Sequence, residues 1–205
     1  MKTKCLAAMV AITGASLCAG QRATTQKATV TVCMDPAPQV LMGVRPLASA
    51  MFASIGVRVD WRERDSCPVG IGAIQVRLSH DSTGVRDSSA DALAFAQPYV
   101  GTIVIFLDRV QELNRNGGPS VLAHVLVHEI THVIEGIDRH SAAGIMKAHW
   151  NDQDYFEMRR KPLVFAEEDV NLIYAGLKVP RVTPTAVATP GGGCRSLKDS
   201  VSLRR

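Results

Sequence analysis

At 205 residues, 46% of them apolar and 20% charged, the chain has the size and composition of one ordinary domain that buries a core of its own. Its formal charge of +4 gives no electrostatic case for nucleic acid or an anionic membrane as a partner.

Residues 1–20 follow the pattern of a signal peptide: Lys2 and Lys4, an apolar run from Cys5 to Cys18, then small residues Ala19 and Gly20 before Gln21. The run is too short for a stable membrane span. Leu17 directly precedes Cys18, so the Leu-small-small spacing of a lipid-anchored protein is absent. The expectation is a secreted protein, periplasmic or extracellular, with a retained interfacial helix as the alternative. Cleavage removes two of the 23 basic side chains and leaves a small positive balance against 19 acidic ones. It also leaves Cys33, Cys67 and Cys194. An oxidising compartment permits one disulfide, and Cys33 with Cys67 is the preferred pair because both follow predicted strands that a single helix connects. Three free thiols are the alternative.

Val30 to Met34 reads as a strand, and Pro46 to Ile55 as a helix with Leu47, Ala50, Met51 and Ile55 at three-to-four spacing and Gly56 as its stop. Val57 to Trp61 alternates as a half-buried strand and completes a β-α-β unit. Ile74, Val76 and Leu78 mark a third strand. After a polar stretch, Ala92 to Ala96 reads as a short edge strand and Thr102 to Leu107 as a buried one. Asn116, Gly117 and Gly118 then interrupt the chain before Pro119, which suits the first turn of a helix that runs to about Glu135 and stops at Gly136.

At about 100° per residue, His124, His128, Thr131, His132 and Glu135 share one arc of this helix, opposite Leu126, Val127, Ile130, Val133 and Ile134. The helix is therefore expected to be mostly buried, with a narrow polar stripe facing a cavity. Such a stripe needs a reason, because buried imidazoles without partners cost free energy. Beyond it, Val170, Ile173, Tyr174 and Leu177 mark a last helix from about Ala166. Residues 178–205, with Pro180, Pro184, Pro190 and a glycine run but no apolar period, read as a flexible tail.

His128-Glu129-Ile130-Thr131-His132 sets two imidazoles at i and i+4, projecting at nearly one angle with a carboxylate between them. Hydrolytic zinc takes three protein ligands and keeps a fourth place for water, whose pKa falls to about 7. His128 and His132 would supply two of the three. Glu129, from its own angle, is placed to take the proton of the water and deliver it to the leaving amine. The third ligand must come from beyond the helix, and Gly136 tolerates the positive φ of a sharp return. His140 is the first candidate, completing a three-histidine set, with Asp138 second and Glu135 third. His124 is read as hydrogen-bonding a neighbour, and Trp61 and Trp150 as ordinary core.

This stretch resembles the metzincin zinc peptidases, whose motif runs His-Glu-x-x-His-x-x-Gly-x-x-His and is followed by a Met-containing turn. Here Gly136 stands four residues after His132 and His140 eight, so the loop is two residues longer. Within that group the chain is most similar to small secreted bacterial proteins with a His-Ser-x-x-Gly-Ile-Met segment, many of unassigned substrate. The resemblance implies an α+β, zincin-like fold, a twisted mixed β-sheet packed on two long helices with zinc in the cleft. Residues 21–177 would be the metzincin-like catalytic domain, and Met146 the apolar floor beneath the metal. The strand at Ala92 to Ala96 would be an edge on which an extended peptide docks by strand addition. Some metzincins carry a tyrosine two residues after that methionine; here the position is Ala148.

The function implied is that of a secreted zinc-dependent peptidase, an endopeptidase acting on peptide or protein substrates, with Zn2+ as cofactor and the oligomeric state left open. One alternative is a zinc-binding secreted protein without turnover, against which Glu129 argues. The other is a zincin with a distant glutamate, Glu157, Glu167 or Glu168, as third ligand.

Overall fold

The computed structural model describes residues 28–35, 42–68, 72–80, 92–113, 119–178 and 201–204. The signal peptide expected over 1–20, Cys194 and the Pro/Gly-rich stretch 179–200 lie outside these. Strands β1 (Ala28–Met34) and β2 (Val57–Glu63) flank helix α1 (Val44–Ser54), and β3 (Ile74–Ser79), β4 (Ala92–Gln97) and β5 (Thr102–Phe106) follow. Helices α2 (Leu107–Leu113), α3 (Ser120–Glu135), α4 (Asp152–Arg160) and α5 (Glu167–Lys178) come next, and a last strand β6 spans Val201–Arg204.

The six strands form one mixed sheet in the order β2-β1-β3-β5-β4-β6. β1 pairs in parallel with β2, from Ala28 opposite Val57 to Met34 opposite Glu63, and in parallel with β3; β3 pairs in parallel with β5. β4 reverses direction against β5. The alternation that marks these segments as strands also decides which side is buried. Val30, Val32 and Met34 of β1, Val57 and Val59 of β2, and Ile74 and Val76 of β3 all enter the core.

Helix α3 lies against β4 and β5 and is flanked by α1, α4 and α5. Hence every residue from Ser120 to Ile134 is buried, polar ones included. The α3–α5 approach is close enough that a Cβ on Gly176 would stand 1.9 Å from Ile134 O. Tyr174 Oη, from α5, donates to Ile55 O at 2.6 Å, and Phe165 packs on Phe52 with ring centroids 5.6 Å apart. Cys33 and Cys67 form a disulfide with Cα atoms 5.8 Å apart, tying β1 to the turn after β2. Among the described residues no helix is long and apolar enough to cross a membrane.

Two segments differ from what their sequence suggests. The tail was expected to be flexible throughout 178–205, yet Lys178 ends α5 and Val201–Arg204 is a strand paired antiparallel to β4. The short apolar-polar alternation Val201-Ser202-Leu203 is the only local signal of it, and three residues are too few to stand out from a Pro/Gly-rich stretch. For the same reason Ala92–Gln97 is not an edge strand, because β6 covers its outer side.

Candidate metal centre

The site begins on α3. His128, Glu129 and His132 are each 0% exposed, and the i, i+4 spacing brings the two imidazoles to a centroid distance of 4.6 Å. Gly136 then ends the helix in the left-handed region at φ 70°, its N–H bonded to His132 O at 2.9 Å. The reversal allows Ile137, Asp138 and Arg139 to bring back His140, whose ring lies 5.3 Å from that of His128 and 4.9 Å from that of His132. One donor atom from each of the three histidines falls within 4.8 Å of the others. His140 is only half-buried and forms the open side of the group.

Hydrogen bonding fixes which nitrogens are free. His128 Nδ1 lies 2.8 Å from Ile145 O, and His132 Nδ1 lies 3.3 Å from Ile137 O. A carbonyl oxygen only accepts, so each Nδ1 carries the proton and donates it. Burial, followed by the charges of neighbouring histidines, holds His128 well below the ordinary histidine value and His132 down at about 3, so both rings are neutral near pH 7. A neutral ring protonated at Nδ1 has a lone pair at Nε2, and here the two Nε2 atoms face each other at 2.9 Å. No proton is left to bridge them, so the contact is repulsive unless a cation sits against both. His140 Nε2 and both carboxylate oxygens of Glu129 are likewise buried without a partner.

Three neutral imidazoles with free lone pairs, two of them oriented by backbone carbonyls, are the donor chemistry of a zinc site with an open fourth position. Burial, and secondly the charge of Asp138, pushes Glu129 well above the usual carboxylate range. A cation among the imidazoles acts in the opposite sense and favours the ionised form.

The segment after His140 folds back on itself and brings Ile145 O to His128. Ser141 N–H donates to Met146 O at 2.7 Å and Ile145 N–H to Val164 O at 3.0 Å, leaving Ile145 and Met146 fully buried. Gly144 makes this path possible: φ is 79°, and a Cβ there would meet Val164 O at 2.3 Å. Trp150 presents its edge to His128, with centroids 5.7 Å apart, and its Nε1 donates to Gly144 O at 3.3 Å.

One residue of the site was not singled out in the sequence. Asp169, on α5, is 0% exposed and accepts from Arg139 Nη2 at 2.5 Å, from Ser141 Oγ, and from Ala166 N–H at 3.1 Å. It therefore holds the residues on both sides of His140. Its position three residues after Ala166 reads locally as an acid capping a helix start, which is half of its role. The partners 28 and 30 residues away leave no trace in local pattern.

The remaining candidates are placed elsewhere. His124 lies 2.8 Å from Ser120 O through Nδ1 and accepts Leu163 N–H at Nε2, 3.0 Å away, so both nitrogens are in use. Glu168 is 69% exposed and pairs with Arg139 at 3.4 Å, and Glu157 accepts from Gln153 on the outer face of α4. Asp138 is felt by Glu129 and His140 only as a charge. Burial, and then Asp169, raises Glu135 to about 7, and it stays outside the histidine group.

No family model and no curated protein matches this chain. Among solved structures, archaemetzincin from Methanopyrus kandleri superposes with a TM-score of 0.51 over 76% of this chain and 99% of that one, at 13% identity. The chain shares the archaemetzincin fold. A second archaemetzincin, from Archaeoglobus fulgidus in complex with malonate, gives a TM-score of 0.44 over 70% of this chain and 99% of that chain, at 14% identity. The zincin-like α+β architecture expected from the sequence is thus the one observed.

Proposed function

We propose that this protein is an exported zinc-dependent endopeptidase in which His128, His132 and His140 hold the metal and Glu129 is the general base. The observation that carries the reading is the pair of Nε2 lone pairs forced together at 2.9 Å beside a buried, unpartnered carboxylate. A site of packing histidines alone would have left neither.

Zinc bound there would supply Lewis acidity, lowering the pKa of a water toward 7 and polarising the carbonyl under attack. The chain's own residues do the rest. Ile145 O and Ile137 O keep the Nδ1 protons of His128 and His132 in place, so that Nε2 is the ligating atom of each. Glu129 accepts a proton from the attacking water at a carboxylate oxygen and returns it to the departing amine nitrogen, which closes the cycle with one water consumed per peptide bond. Met146, fully buried next to the Ile145 whose carbonyl holds His128, would supply the apolar floor that the metzincin resemblance implies. Export is supported by the pattern of residues 1–20 and by the Cys33–Cys67 bridge, which persists in an oxidising compartment.

Glu129→Gln is expected to keep the fold and the metal while peptide hydrolysis falls by about 10² to 10⁴, the usual share of general-base assistance. Cleavage of an unfolded protein or a peptide library, measured alongside bound zinc, tests this. Equal rates in both forms would assign the base elsewhere. Zinc binding without cleavage, both in the wild type and in the chain ending at Lys198, would leave a metal-binding protein without turnover.

A further inference from the structure

We propose that β6 is an autoinhibitory strand, an internal occupant of the edge of β4 on which an extended substrate would otherwise lie. The proposal rests on the peptidase reading above for its functional meaning, while the occupancy itself is a matter of backbone pairing. Without β6 the sheet would end at β2 on one side and at β4 on the other. Helix α3, which carries His128, Glu129 and His132, packs against β4 and touches β6 itself. The β2 edge lies on the far side of β1, β3 and β5. An extended peptide added to the β4 edge therefore runs beside the helix that bears the histidines, and one added to β2 does not.

Strand addition draws its affinity from main-chain hydrogen bonds and is indifferent to most side chains, so any segment able to extend can compete for an open edge. Val201–Arg204 does so in antiparallel register, with Val201 opposite Ala96, Ser202 opposite Phe95 and Leu203 opposite Ala94. The ladder is weak in two respects. It has only four residues on the β6 side, and its register shifts between Ala92 and Ala94, which interrupts the pairing. A strand this short is easily exchanged for another. It prevails because it belongs to the same chain: intramolecular pairing commonly has an effective concentration on the order of millimolar. Against a free peptide of about 100 μM affinity, such a competitor weakens binding roughly tenfold. Displacement of β6, or its removal by proteolysis, would open the edge.

A fluorescent synthetic peptide with the sequence of residues 199–205 is the probe, titrated by anisotropy against three proteins that all carry Glu129→Gln. These are the full chain, the chain ending at Lys198, and the full chain with Leu203→Pro, which removes a backbone donor from β6. The expected result is binding at least about tenfold tighter to the second and third than to the first. Equal binding by all three folded proteins, or none by any, overturns the proposal.

Should the shortened and proline forms fail to fold, amide exchange of the intact chain decides. β6 is expected to exchange by local opening, well ahead of β3 and β5, and exchange of β6 only with global unfolding would make it a permanent strand. The peptidase reading fails separately. Peptide binding as expected, with no cleavage by the shortened chain carrying native Glu129, would remove the activity and leave the covered edge. Equal Glu129-dependent cleavage by the full and shortened chains would do the reverse.

Discussion

Asp169 binds the side chains of Arg139 and Ser141, and so clamps His140 from both sides without touching it. This separates the roles of the acidic residues around the site in a way that metal affinity can read. His140→Ala is expected to lose zinc most severely, because a three-ligand site forfeits both a bond and its geometry. Asp169→Asn should weaken zinc by about 10- to 100-fold, the usual effect of loosening a ligand's support. Asp138→Asn and Glu168→Gln should stay close to wild type, since neither side chain lies in the histidine group. Competition with a coloured chelator ranks all four, and loss of metal by the Asp138 or Glu168 variant would show that the ligand set is wrong. His128, Glu129, His132 and His140 were legible because helical spacing and one glycine bring them together over thirteen residues. Asp169 was not, since what gives it meaning is the docking of α5.

Glycines mark where elements meet, and the two near the C-terminal end of α3 make different demands. At Gly176 a methyl group would overlap the backbone of α3, with Ile134 O only 1.9 Å away, so the helices must separate. Gly136 has a left-handed φ of 70° but nothing within 4 Å of its missing Cβ. Gly136→Ala should therefore cost about 1–2 kcal/mol of conformational strain. Gly176→Ala should cost more than about 2 kcal/mol and lower zinc affinity as well, through displacement of Asp169. Urea midpoints for the two variants check the order, and a reversal would mean that α5 is not held against α3 as described. The long periodic elements were readable in the sequence: all of β1 to β5, α1, α3 and α5 were anticipated within a few residues. Missing were α2, whose seven residues expose most of their faces, and α4, which buries only Met158 and starts from the Asn151–Asp154 capping box. Elements with so little apolar surface leave almost no periodic signal.

Across the whole molecule, stability should depend on acidity through His124, which joins α3 to the segment before α5 by donating to Ser120 O and accepting from Leu163. Burial lowers its pKa from 6.5 to about 4 in the folded protein. The unfolded chain therefore takes up a proton on this ring first. The contribution is complete above pH 6.5, declines as the pH falls toward 4, and amounts to about 3 kcal/mol over that window. His124→Gln, which retains a donor and an acceptor but does not titrate, should be less stable than wild type at pH 7 and approach it by pH 4 in denaturant titrations. Parallel pH profiles for the two proteins would exclude the imidazole as the source. The clamp on His140 also sets an order in time. His128 and His132 come into line as soon as α3 winds, whereas His140 is held only when a residue 30 positions beyond Arg139 has arrived. A chain still under synthesis offers a metal two donors and retains it poorly. Firm metal retention is thus expected only once α5 has docked, and on the peptidase reading a half-made molecule would have no working blade to turn on its own unfolded length.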